Sequence, residues 1–199
     1  MLFRSDADFP IQGEYEGRLG KEAVCGVQLV ALGNGKFAGA LYSKGLPGGG
    51  WDRSKLPLSG ETKDGVISVT GPSFFGRIEK GRLTGMLDDA PFDLKHIERQ
   101  SPTMGARPPE GAIVLFDGTN VDHWVGGRIQ EGNLLGIGTR TQKTFKNYTL
   151  HLEFRTPYMP TARGQGRGNS GMYLNDQYEF QILDSFGLNG EDRKSTRLN

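Results

Sequence analysis

Residues 27–42, Val27-Gln28-Leu29-Val30-Ala31-Leu32-Gly33-Asn34-Gly35-Lys36-Phe37-Ala38-Gly39-Ala40-Leu41-Tyr42, read as two apolar strands joined by a tight turn. Asn and Gly tolerate the positive φ that a short hairpin requires, so Gly33-Asn34-Gly35 is a hairpin signal. The same punctuation recurs outward. Lys63-Asp64-Gly65 opens the run 66–70, and Glu79-Lys80-Gly81 separates 75–78 from 82–86. Residues 92–97 (FDLKHI) alternate apolar and polar and close the series. Short strands at this spacing predict a small β-barrel or sandwich over 6–100.

The composition agrees. Of 199 residues, 31 are glycine, without a collagen-like period. Hydrophobic residues make up 35%, enough for a packed core and too many for a disordered chain. The formal net charge of +1 gives no electrostatic case for nucleic acid or an anionic membrane. No apolar run reaches the roughly 20 residues of a membrane-spanning helix. Cys25 is the one cysteine, so no intrachain disulfide forms. Its apolar neighbours predict a buried structural thiol.

Residues 101–111 carry Pro102, Pro108 and Pro109 and read as a linker, because proline fixes φ and removes amide donors. Strand patterns resume beyond it. Residues 148–155 (YTLHLEFR) alternate, with Tyr148, Leu150, Leu152 and Phe154 on one face and Thr149, His151, Glu153 and Arg155 on the other. In 178–183 (YEFQIL), Glu179 and Gln181 oppose Tyr178, Phe180 and Ile182. If the two strands share a sheet, Glu153, Arg155, Glu179 and Gln181 line one surface, suited to a sugar. The competing reading is a solvated side of an antiparallel sheet. Residues 163–171 (RGQGRGNSG) lie between them. No helix and no Lys-Ser/Thr follows these glycines, so they are not a phosphate loop. Arg163 and Arg167 are placed to hold a carboxylate or sugar hydroxyls, unless the segment is an ordinary loop.

Both ends read as translated sequencing adapter: 1–5 (MLFRS) and 192–199 (DRKSTRLN). Native sequence is therefore expected from about Asp6 to Glu191, and the adapter-like ends are set aside.

Residues 115–118 (LFDG) followed by Trp124, then 145–155 (FKNYTLHLEFR), 168–173 (GNSGMY) and 178–185 (YEFQILDS) occur in an order and spacing that resemble the 3-keto-disaccharide hydrolase family. The resemblance runs from about Ile113 to Glu191, roughly the first half of that domain. Residues 6–100 and the linker resemble an extension seen in some bacterial members. The family's fold is a concanavalin A-like jelly roll, which implies an incomplete jelly-roll sandwich over 112–191; with the small barrel or sandwich read from strand spacing over 6–100, the chain is expected to be all-β. The resemblance also implies a periplasmic or secreted protein.

The family's activity is the cleavage of a glycoside oxidised at C3. The ketone acidifies the hydrogen at C2; a base removes it, the enolate expels the C1 substituent, and water adds back. Such a site needs a carboxylate or histidine base and an electrophile near the ketone oxygen. By position, Glu153, Glu179 and His151 are candidate bases, and Arg155 is a candidate for the enolate oxygen. Asn169, Gln181, Asp184, Arg163 and Arg167 are candidates for sugar hydroxyls. Glu153 and Glu179 are alternatively metal ligands, and Asn169, Gln181 and Asp184 alternatively ligands of a divalent ion, because an oxygen-rich set favours a hard cation such as calcium. Asp184 departs in parity from Glu179 and Gln181 and needs a strand end or bulge to join them. His96 and His123 fall outside the matched face and read as structural or surface residues.

A non-catalytic, lectin-like sugar binder fits the same fold. A retaining glycosidase needs two carboxyl groups about 5–5.5 Å apart, and Glu179 and Asp184 lie on opposite faces of an ideal strand. Strand edges left open would also serve a sheet-to-sheet interaction.

Overall fold

The computed structural model describes residues 6–21 and 23–187, and the adapter-like ends 1–5 and 192–199 lie outside that range. Eight strands follow one another from the N-terminus: β1 (Gly13–Leu19), β2 (Ala23–Gly33), β3 (Lys36–Tyr42), β4 (Leu56–Lys63), β5 (Val66–Gly71), β6 (Phe74–Glu79), β7 (Arg82–Leu87) and β8 (Ala90–Ile97). Each pairs antiparallel with the next, and β8 returns to β1 with Glu14 opposite Ile97 and Leu19 opposite Phe92. The result is a closed up-and-down barrel, which leaves no free edge. Of the two architectures the sequence allowed, the barrel forms.

The turns are where the sequence placed them. Asn34 and Gly35 have φ of 56° and 70°, Asp64 and Gly65 have 51° and 78°, and Lys80 and Gly81 have 49° and 72°. Two consecutive left-handed residues give the two-residue turn whose twist matches its flanking strands.

Side chains alternate across the barrel wall. Tyr15, Cys25, Val27, Leu29, Leu41, Leu58, Val69, Phe74, Ile78, Leu83, Phe92 and Leu94 form one buried cluster. The interior is therefore filled by side chains and is not a ligand-holding lumen. Cys25 is 1% exposed, and burial pushes its thiol up to about 11. Phe74 and Phe92 stack at 4.6 Å between centroids. Room for the Phe92 ring comes from facing Gly76 and Gly85, where a Cβ on either would meet it within 3 Å.

The sequence pattern did not reveal β1 and β4. Both are diluted by glycine. Gly17 on β1 lies against the Asp93 carbonyl of β8, and Gly60 on β4 lies against Phe37. Pro57 lies where β4 pairs with β3 alone, before its ladder to β5 begins at Ser59, a tolerated place for proline.

Outside the wall, Glu14 accepts hydrogen bonds from Gln28 Nε2 (2.8 Å) and Arg99 Nε (2.5 Å), and Tyr42 donates to Gln28 Oε1 (2.7 Å). Glu14 is 8% exposed, so its charge is compensated by Arg99 as a buried carboxylate requires.

Beyond the barrel, the described residues carry three two-stranded antiparallel sheets. β9 (Trp124–Val125) pairs with β12 (Arg140–Thr141), and β10 (Ile129–Gln130) with β11 (Leu134–Leu135). β13 (Asn169–Leu174) pairs with β14 (Tyr178–Leu183). By compactness the chain divides into two units: Gln100–Arg155, and the barrel together with the residues from Thr156 onward. Among the described residues no helix is long and apolar enough to cross a membrane.

One expectation is corrected. Residues 148–155 form no strand ladder, although the alternation is present. Strand character needs a hydrogen-bonded neighbour as well as a side-chain pattern. Without one, Tyr148, Leu150, Leu152 and Phe154 stand 43–58% exposed.

Candidate functional site

The candidate residues fall into two groups, one in each compact unit. The premise that Glu153 and Arg155 share a sheet with Glu179 and Gln181 is not met, because 148–155 belongs to no sheet.

In the unit Gln100–Arg155, the extended backbone still places alternate side chains on one side, and His151 and Glu153 meet. His151 Nε2 lies 3.1 Å from Glu153 Oε1, and the same oxygen accepts the Gly105 backbone N–H at 2.5 Å. The Gly105 amide, followed by His151, holds the Glu153 carboxyl below the usual glutamate range. An ionised carboxylate only accepts, so the proton of the shared bond sits on Nε2 of His151 and Nδ1 keeps a lone pair in the neutral ring. Arg155 extends along the same segment. Its Nη2 donates to the Glu131 carbonyl at 3.2 Å, and the guanidinium lies over Gly132. Gly105 is the participant that sequence reasoning missed. Its contribution is a main-chain amide, which no residue pattern advertises, and it lies in a segment read as a linker.

The motif 115–124 that opens the resemblance is closed on itself. Asp117 Oδ1 accepts from the Thr119 amide (3.0 Å) and hydroxyl (2.6 Å), and these bonds lower its carboxyl pKa. The Trp124 indole N–H donates to the Leu115 carbonyl at 2.7 Å. These residues build a turn and do not present reactive groups.

The second group lies on the β13–β14 hairpin. Register places Gly171 opposite Gln181 and Tyr173 opposite Glu179. Gln181 Nε2 donates to Asn169 Oδ1 at 3.1 Å. Glu179 folds across Gly171 into the space a Cβ would take. Glu179 and Gln181 thus share one face, as alternation foretold, and the β13–β14 register adds Asn169 to it.

Asp184 lies just past the end of β14, the strand end its parity called for. There it is committed to Arg167, whose Nε and Nη2 reach Oδ2 at 3.0 and 2.7 Å. Arg167 is 3% exposed, and the Asp184 amide donates to the Gly168 carbonyl at 2.8 Å. The pair clamps the base of the hairpin, so both charges are already satisfied. Arg163 is exposed and donates from Nη1 to the Pro160 and Ala162 carbonyls at 2.6 and 2.8 Å, which fixes its own loop.

Among the described residues, no three His, Cys, Asp or Glu side chains are grouped to hold a metal ion. The Asn169 oxygen and the Asp184 carboxylate are taken by Gln181 and Arg167.

No curated protein and no solved structure matches the chain. Residues 111–198 do match a family model, that of the 3-keto-alpha-glucoside-1,2-lyase-like domain, in agreement with the resemblance carried by the ordered motifs from Leu115 to Ser185.

Proposed function

We propose that this chain acts on a glycoside oxidised at C3, and that its reaction is elimination across C1 and C2 followed by hydration. The observation that supports this reading most directly is the His151–Glu153 contact at 3.1 Å inside the stretch similar to the lyase-like domain. The chemistry needs a base that is weak enough to survive unprotonated at neutral pH and strong enough to take a ketone-acidified hydrogen. A neutral imidazole has that character. Glu153, ionised by Gly105 and accepting from Nε2, fixes the ring's tautomer and leaves Nδ1 as the proton acceptor. Removal of the C2 hydrogen places two electrons in the enolate. Collapse of the enolate breaks the C1–O bond, and the released alkoxide takes a proton as it leaves. Water then adds across the new double bond. Arg155 supplies a cationic donor for the enolate oxygen, two residues along the same extended segment.

Glu179, Gln181 and Asn169 offer a second polar face, whose acceptors and donors suit sugar hydroxyls. The test is turnover of a 3-keto-glucoside followed by release of the C1 alcohol. H151A should lower kcat by about 100-fold or more, the range of a positioned acid–base group. E153Q should lower it less, because it disturbs orientation and not the proton acceptor itself. Turnover undiminished in H151A would refute the assignment. Binding of the glycoside with no turnover in the unsubstituted chain would favour a lectin-like binder.

A further inference from the structure

The filled barrel leaves its outer wall as the place where it can meet a ligand, and one cleft there has a lining with a chemical direction. Its volume is about 290 Å³, at the small end of ligand-sized pockets. It sits at the seam where β1 meets β8, lined by Phe9, Gln12, His96, Glu98 and Phe186 among others. Gly13, at φ +149°, borders it, and a Cβ there would collide with Nε2 of the His96 imidazole. Glycine at this position is what lets the ring occupy its place.

The walls formed by Phe9, Gln12 and His96 are held before any ligand arrives. Phe9 is held edge-on by Tyr158 at 5.1 Å, and His96 edge-on by Tyr15 at 5.0 Å. The Gln12 side chain accepts the Ala31 amide at 3.0 Å, and Asp8 accepts the Gly35 amide at 2.9 Å, which ties the 8–12 segment to β2 and to the turn before β3. His96 Nε2 lies 3.3 Å from the Gln12 carbonyl, which can only accept. The imidazole proton is therefore on Nε2, and Nδ1 is an acceptor in the neutral ring.

We propose that this cleft is a second carbohydrate subsite, carried by the barrel and sized for one sugar ring. Phe9 and Phe186 offer apolar surface for the C–H face of a pyranose. Glu98, exposed at the rim, and Nδ1 of His96 accept from its hydroxyls. The inference rests on the sugar reading above, but its site is separate from His151 and Glu153 in sequence and in chemistry, and its ligand need not be oxidised.

The experiment is titration of the isotope-labelled full chain with methyl α-glucoside, followed by amide chemical shifts. Shifts are expected at Gly13, His96, Ile97 and Phe186, saturating with a Kd on the order of 1 mM. E98Q removes one charge-assisted acceptor and should weaken binding about tenfold. F186A should weaken it comparably, and neither should change the spectrum of the β5–β7 strands. An absence of shifts at this cleft, or affinity in E98Q and F186A unchanged from the unsubstituted chain, overturns the subsite. Turnover of the 3-keto-glucoside without shifts here would leave the lyase reading standing alone. Shifts here without turnover would leave the subsite standing alone.

Discussion

Glu153 shows how a single exposed carboxylate acquires a defined state. Two donors converge on one oxygen, the Gly105 amide and His151 Nε2, and both favour the ionised form. The folded-state pKa is thereby lower than in the unfolded chain. The stability it contributes is present above the ordinary glutamate range, near pH 4.3, and is lost as pH falls through the depressed folded value. E153Q should therefore flatten the acid limb of a plot of thermal midpoint against pH while leaving the neutral region little changed. Coincident acid limbs for the two proteins would show that the contacts exert no such effect. The alternation in 148–155 made the His151–Glu153 contact legible, because extended backbone puts i and i+2 on one side whether or not a ladder forms. The Gly105 contact was not legible, since a main-chain amide has no sequence signature.

At the scale of elements, the β13–β14 hairpin is held by more than its ladder. Arg167 is 3% exposed and its charge is neutralised by Asp184, whose side chain is 11% exposed. Removing one member of a buried pair strands the other and costs roughly 3–5 kcal/mol. D184A should therefore abolish hydrogen-exchange protection of the β13 and β14 amides, whereas the double variant R167M/D184L should recover part of it. Protection unchanged in D184A would mean that the pair contributes nothing to the hairpin. Both residues looked like substrate binders in the sequence, because charge beside a glycine-rich loop is compatible with either role. The ion pair and its burial were not legible there, because burial is a property of the folded chain.

Across the whole molecule, the closed barrel is the element without an open edge, and its cluster from Tyr15 to Leu94 contains Cys25. A thiol that is buried and pushed up to about 11 is a poor nucleophile at neutral pH. Cys25 should resist a thiol-labelling reagent in the native chain and react at the rate at which the barrel opens. Labelling within seconds in the absence of denaturant would show that β2 opens locally.

The sequence by itself determined the all-β class, the barrel's two-residue turns and the faces on which the candidate side chains lie. Turn chemistry and side-chain alternation are local, set by φ preferences and by the pleat of extended backbone. Only tertiary structure decided that eight strands close on themselves, that glycine-diluted β1 and β4 belong to the wall, and that 148–155 stays unpaired. Each of those outcomes depends on which segments become hydrogen-bonded neighbours, and pairing between distant segments is not encoded in any one of them.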